Sequence, residues 1–129
     1  MLQSSHGDRD RGYRYALCVG IGSYPNLKRS LRYAVADATT VADRLTDPQR
    51  GNFAVKVLTE PKETTKAALD EAVEDLLNSP DRQAEDLTLL YFSCHGSVNK
   101  KDNTFCLLPS NATLQTKKPK RSLSLNKQP

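Results

Sequence analysis

Leu87-Thr-Leu-Leu-Tyr-Phe-Ser-Cys-His-Gly96 is the stretch on which the reading of this chain turns. Its first six residues form a short apolar run of strand formers, and a serine, a cysteine, a histidine and a glycine lead out of it. Working outward, two similar runs precede it. Arg14-Tyr-Ala-Leu-Cys-Val-Gly-Ile21 predicts a buried first strand, closed by Gly22, Pro25 and Asn26. Phe53 to Leu58 predicts a second, with Lys56 outward. Helical stripes fill the intervals. Leu31, Ala34, Val35, Ala38, Ala42 and Leu45 recur on one face, with Ser30 placed to cap and Asp47-Pro48 to stop that helix. Leu69, Ala72, Val73, Leu76 and Leu77 make the next stripe, with Thr64 or Thr65 as its cap and Ser79-Pro80 as its stop. The acids Asp70, Glu71, Glu74 and Asp75 lie on its wet face. After the quoted stretch, a polar turn at Asn99 to Asn103 leads to a fourth strand, Phe105 to Leu108.

Strand, helix, strand, helix, strand implies an α/β fold. Its parallel sheet has helices on its faces and right-handed crossovers. The expected strand order is second-first-third. In such sheets the functional crevice lies beyond the carboxyl ends of the strands. That nominates the loops Gly22 to Lys28 and Ser93 to Asn99 before any motif is used.

Bulk properties narrow the classes. The chain has 129 residues, room for one domain, and a net charge of +4. Five of its 19 basic residues (Lys117, Lys118, Lys120, Arg121 and Lys127) fall in 113–129, which holds no acid; the other 14 face 15 acids in 1–112. The excess charge thus belongs to a basic tail rather than to a folded surface. No aromatic residue interleaves with it to stack on bases, which argues against nucleic acid as a partner. Residues 1–12 read as a flexible terminus, 13–112 as the domain and 113–129 as a disordered tail. No apolar run is long enough for a membrane span, and the start has no apolar signal core, so a cytoplasmic chain is expected. Three cysteines without a paired spacing fit a reducing compartment. His6 has no ligand partner at metal spacing, and Gly20-Ile-Gly22 lacks the third glycine of a dinucleotide fingerprint, so no metal and no cofactor are expected.

His95 carries the chemistry. A histidine leaving the end of a central strand is placed for proton transfer near neutrality. Gly96 lets the backbone N–H approach a developing oxyanion. A His-Gly pair alone would serve a structural turn as well.

The wider pattern resembles the caspase and metacaspase peptidases. Leu89-Leu-Tyr-Phe-Ser-Cys-His-Gly96 is similar to their Tyr-Phe-Ser-Gly-His-Gly motif, and Tyr15-Ala-Leu-Cys-Val-Gly-Ile-Gly-Ser-Tyr-Pro25 to their opening strand and loop. Leu31, Ala34, Ala36-Asp37-Ala38, Val41 and Leu45 resemble their first helix, and Phe105-Cys-Leu-Leu-Pro109 the strand after the histidine loop. The resemblance implies a three-layer sandwich acting on peptide or protein substrates through a Cys-His dyad. His95 would be the dyad histidine and Gly96 an oxyanion donor. Asp37 and Ser93 would line a pocket for a basic residue before the scissile bond. Asp37 also reads as an ordinary early-helix acid. Lys28, Arg29 and Arg32 stand close enough in sequence to neutralise it, or to favour an acidic substrate residue.

Two departures qualify this. Cys94 stands where the family has glycine; on an extended segment it points away from His95, so a packed thiol is expected rather than a nucleophile. In caspases the histidine precedes the cysteine by about 50 residues, near ~145 here. Only Cys106 follows His95, inside a predicted strand. The expectation is a domain truncated at its C-terminus and inactive alone, completed by a missing C-terminal segment or a partner subunit. The alternative is a non-catalytic interaction module.

Overall fold

The structure, a computed structural model, describes residues 12–113 and Leu123–Ser124. In chain order its elements are β1 (Arg14–Gly20), β2 (Ser23–Tyr24), β3 (Arg29–Ser30), α1 (Ala34–Thr46), β4 (Ala54–Leu58), a 3-10 turn at Pro61–Glu63, α2 (Lys66–Asn78), β5 (Leu87–Ser93), β6 (Gly96–Asn99), β7 (Thr104–Leu107) and β8 (Leu123–Ser124). The main sheet has the order β4-β1-β5, all parallel. This is the expected second-first-third arrangement. β5 pairs with β1 along its whole length, from Arg14 opposite Leu87 to Gly20 opposite Ser93.

Every residue of β1 from Tyr15 to Gly20 is buried, as a strand covered on both faces must be. Alternation sorts them. Tyr15, Leu17, Val19 and Ile21 cluster with Leu69, Ala72 and Leu76 of α2. Gly20 faces α1 instead: a Cβ there would lie 2.6 Å from the Ala34 carbonyl oxygen and 2.8 Å from the Ala38 Cβ. Ala16 and Cys18 share that face, and α1 buries only Ala34, Ala38 and Ala42. Helices therefore cover both faces of the parallel sheet. Each fully buried Leu, Val or Ile contributes roughly 1.5–3 kcal/mol, so the α2 side holds most of the apolar stabilisation.

The helix starts illustrate what local signals decide. Thr65 caps α2, its side chain accepting from Ala68 N–H, while Thr64 is fully buried and donates to the Glu60 and Pro61 carbonyls. The Ser30 expectation is corrected. α1 begins after Tyr33 with no side-chain cap, and Ser30 instead pairs with Ser23 in the β2–β3 hairpin. Leu31 lies outside α1, although it packs against the core. Val35 and Leu77, both assigned to apolar stripes, are exposed.

The fourth strand is β7, one residue earlier than expected. It pairs antiparallel with β6, across a turn in which Asn103 adopts φ 59° and donates its N–H to the Asn99 carbonyl. Residues 96–99, read from sequence as loop, are thus a strand of a second sheet, and only Cys94 and His95 separate it from β5. Its third strand is Leu123–Ser124, paired with β7. Of the tail expected at 113–129 only 113 and 123–124 are described, and of the flexible terminus expected at 1–12 only Gly12; the rest lies outside the described residues. Among the described residues no helix is long and apolar enough to cross a membrane.

Candidate active site

The loops after β1 and β5 lie side by side. Ile21 N–H donates to the Ser93 carbonyl at 3.0 Å, which extends the β1–β5 pairing by one bond beyond the strands. Leu31 N–H returns to the Gly22 carbonyl at 2.9 Å, closing the β2–β3 excursion onto its own base. The strand ends therefore bring Gly22–Tyr24 and Ser93–Gly96 together, as anticipated.

His95 has both backbone groups engaged. Its N–H donates to the Tyr24 hydroxyl at 3.0 Å, and its carbonyl accepts from Leu108 N–H at 2.9 Å. The imidazole packs on the Tyr24 ring, centroids 4.9 Å apart at 56°. It is half-buried rather than open to the crevice, and its Nε2 is a buried side-chain nitrogen without a hydrogen-bond partner among the described residues. Buried polar atoms are nearly always satisfied, so this ring nitrogen is the one buried side-chain atom of the described residues left open to a further partner.

Gly96 opens β6 opposite Leu107. The Leu108-to-His95 bond makes Gly96–Leu107 a non-hydrogen-bonded pair, so Gly96 N–H points away from β7. A further reason for glycine here was not visible in the sequence. The Phe105 ring lies over it, and a Cβ would stand 2.7 Å from the ring Cζ.

Ser93 ends β5, half-buried beside Gly20. Asp37 sits in the first turn of α1 and is exposed. Among the described residues Asp37 makes no ion pair with Lys28, Arg29 or Arg32, and no hydrogen bond joins it to Ser93 or His95. The three basic side chains are exposed, with Lys28 at φ 52° in the tip of the β2–β3 hairpin. Between the ends of β1 and β4, on the far side of Gly22–Ser23 from His95, lies a cavity of about 270 Å³ lined by Ile21, Gly22, Ser23, Val35, Thr59, Pro61 and Thr64.

The thiols are all free. Cys94 packs against the core, and burial raises its pKa while hydrogen bonds to Tyr24 and to the Leu108 backbone pull the other way. Nucleophilic thiols are depressed, not raised. Cys18 is buried in β1, where desolvation pushes it up to about 11. Among the described residues no group of His, Cys, Asp and Glu is disposed to hold a metal ion.

A family model described as the caspase domain matches residues 13–129. The chain belongs to the caspase-domain family. Comparison with curated proteins gives no match. Membership of a caspase-type cysteine peptidase family is consistent with the α/β fold and its mostly parallel sheet. In this caspase domain Tyr24 has no sequence signal beyond being an aromatic before Pro25.

Proposed function

We propose that this caspase domain supplies the general acid–base half of a cysteine endopeptidase. The observation that carries the reading is His95: a backbone held at both ends, a ring seated on Tyr24, and a buried Nε2 without a partner among the described residues. In the reaction the imidazole takes the proton of a cysteine thiol, and the thiolate attacks the scissile carbonyl. The imidazolium then protonates the leaving amine, and water releases the acyl group. Gly96 N–H, aimed away from β7, holds the oxyanion together with the amide of the nucleophile. The nucleophile is none of Cys18, Cys94 and Cys106; it comes from a Cys-bearing segment or subunit. Substrates are peptides or proteins. Asp37 and Ser93 at the rim favour a basic residue before the scissile bond, as in metacaspases, and the setting is cytoplasmic.

The complete gene product, assayed on fluorogenic peptides ending in Arg, Lys or Asp, is expected to turn over. His95→Ala should reduce kcat by about a hundredfold or more while the fold persists. Turnover that His95→Ala leaves intact overturns the assignment. The 129-residue chain alone should show none, and activity abolished by Cys94→Ala would make Cys94 the nucleophile. A second reading, a non-catalytic interaction module, is favoured by β5. Its outer edge has no partner strand among the described residues, and Leu87 and Leu90 are 54% and 39% exposed on it.

A further inference from the structure

Tyr24 is nearly inaccessible, 1% exposed, yet its hydroxyl is not spent on its own neighbourhood. It accepts from His95 N–H, 71 residues away, and donates to the Leu108 carbonyl, 84 residues away, at 2.8 Å. Leu108 N–H in turn donates to the His95 carbonyl. The three residues close a circuit in which every bond touches either the backbone of His95 or its clamp.

We propose that Tyr24 is the positioning residue of His95: its hydroxyl fixes the histidine backbone, and its ring fixes the plane of the imidazole. The inference rests on the reading of His95 as the dyad base. Proton transfer to and from a thiol requires the ring nitrogen to be aimed within a narrow cone, and a misplacement of about 1 Å costs roughly a hundredfold in rate. His95 has only Cys94 between it and β5, and Gly96 directly after it begins β6. It therefore stands at a joint between two sheets, where strand pairing alone leaves the peptide free to twist. The β1 loop supplies the missing constraint from outside both sheets. An ordinary core aromatic would need its ring but not its hydroxyl; here the hydroxyl is the connector.

Tyr24→Phe separates the two. It keeps the ring on the imidazole and removes the acceptor of His95 N–H together with the donor to Leu108. In the isotope-labelled 129-residue chain, hydrogen exchange of the His95 amide should quicken by about tenfold, the equivalent of one hydrogen bond. The imidazole, still seated on the retained ring, should keep a single χ1 rotamer, read from its side-chain couplings. In the complete gene product kcat should fall about ten- to a hundredfold with KM unchanged, because Tyr24 does not touch substrate. Unchanged amide exchange in Tyr24→Phe overturns the proposal. If that variant does not fold, the unsubstituted chain decides. A single His95 rotamer with ring-to-ring Overhauser contacts to Tyr24 upholds it, and an averaged ring without them overturns it. The dyad reading fails separately. Turnover that survives His95→Ala removes the base but not the positioning, whereas turnover lost in His95→Ala and untouched by Tyr24→Phe removes the positioning alone.

Discussion

On one side of β1, Tyr15, Leu17, Val19 and Ile21 meet the leucines of α2; on the other, Ala16, Cys18 and Gly20 meet the alanines of α1. The first contact is held by buried volume, the second by closeness. Side chains on the α2 face can be lost only by opening a cavity, whereas side chains on the α1 face can be gained only by moving a helix. The difference matters for the site. The closeness of α1 to Gly20 fixes where the helix begins, and with it the Gly22–Tyr24 loop and Asp37.

That contrast can be broken by substitution. Leu17→Ala should carry the largest cost, about 2–5 kcal/mol by urea denaturation, since the leucine is 1% exposed in the centre of the α2 face. Gly20→Val should cost less, about 1–3 kcal/mol. It should also loosen amide protection in the first turns of α1, which Leu17→Ala leaves in place. Equal protection in the two variants would erase the distinction between the faces.

A pH test sharpens it from the α1 side. Burial raises the thiols of Cys18 and Cys94 and the phenol of Tyr24 in the folded state, so the unfolded chain loses these protons first as pH rises. Their stabilisation is complete below the unfolded thiol pKa of about 8.5 and is withdrawn above it, for Cys18 up to about 11. The melting temperature should therefore fall from pH 8 to pH 10.5, and less steeply in Cys18→Ala. A slope indifferent to Cys18 would show that this thiol titrates alike in both states. Smallest of all, Asp37→Asn should change stability by no more than about 0.5 kcal/mol, as for an exposed side chain without an ion pair. A larger loss would mean that its charge anchors α1.

The sheet was legible because its signals are periodic and local. Three apolar runs spaced by helical stripes give parallel strands, and the crossover rule then leaves little choice of order. His95 was legible for the same reason, as a polar residue at the end of an apolar run. What escaped depends on partners distant in sequence. Nothing local announces that Ser23–Tyr24 will pair with Arg29–Ser30, and so Ser30 looked like a cap. Gly96-Ser-Val-Asn99 has no apolar run of its own and becomes a strand only because β7 folds back on it. The glycine at 96 suggested a backbone conformation, but the structure adds a steric reason in the Phe105 ring above it. Tyr24 was passed over because its hydroxyl acts on residues more than seventy positions away.

The pairing of β1 also has a history within each molecule's synthesis. β1 is made early, yet its first partner begins at Ala54 and its second at Leu87. At translation rates of about 5–20 residues per second, the nascent chain carries its most buried strand incompletely paired for several seconds before β5 is complete. Six consecutive residues that end in the interior begin that interval with both hydrogen-bonding edges open, and the edge that β5 will cover stays open to its end. The strand that organises the finished domain is thus the one most in need of chaperoning while the chain is being made, and the seat of His95 is assembled last.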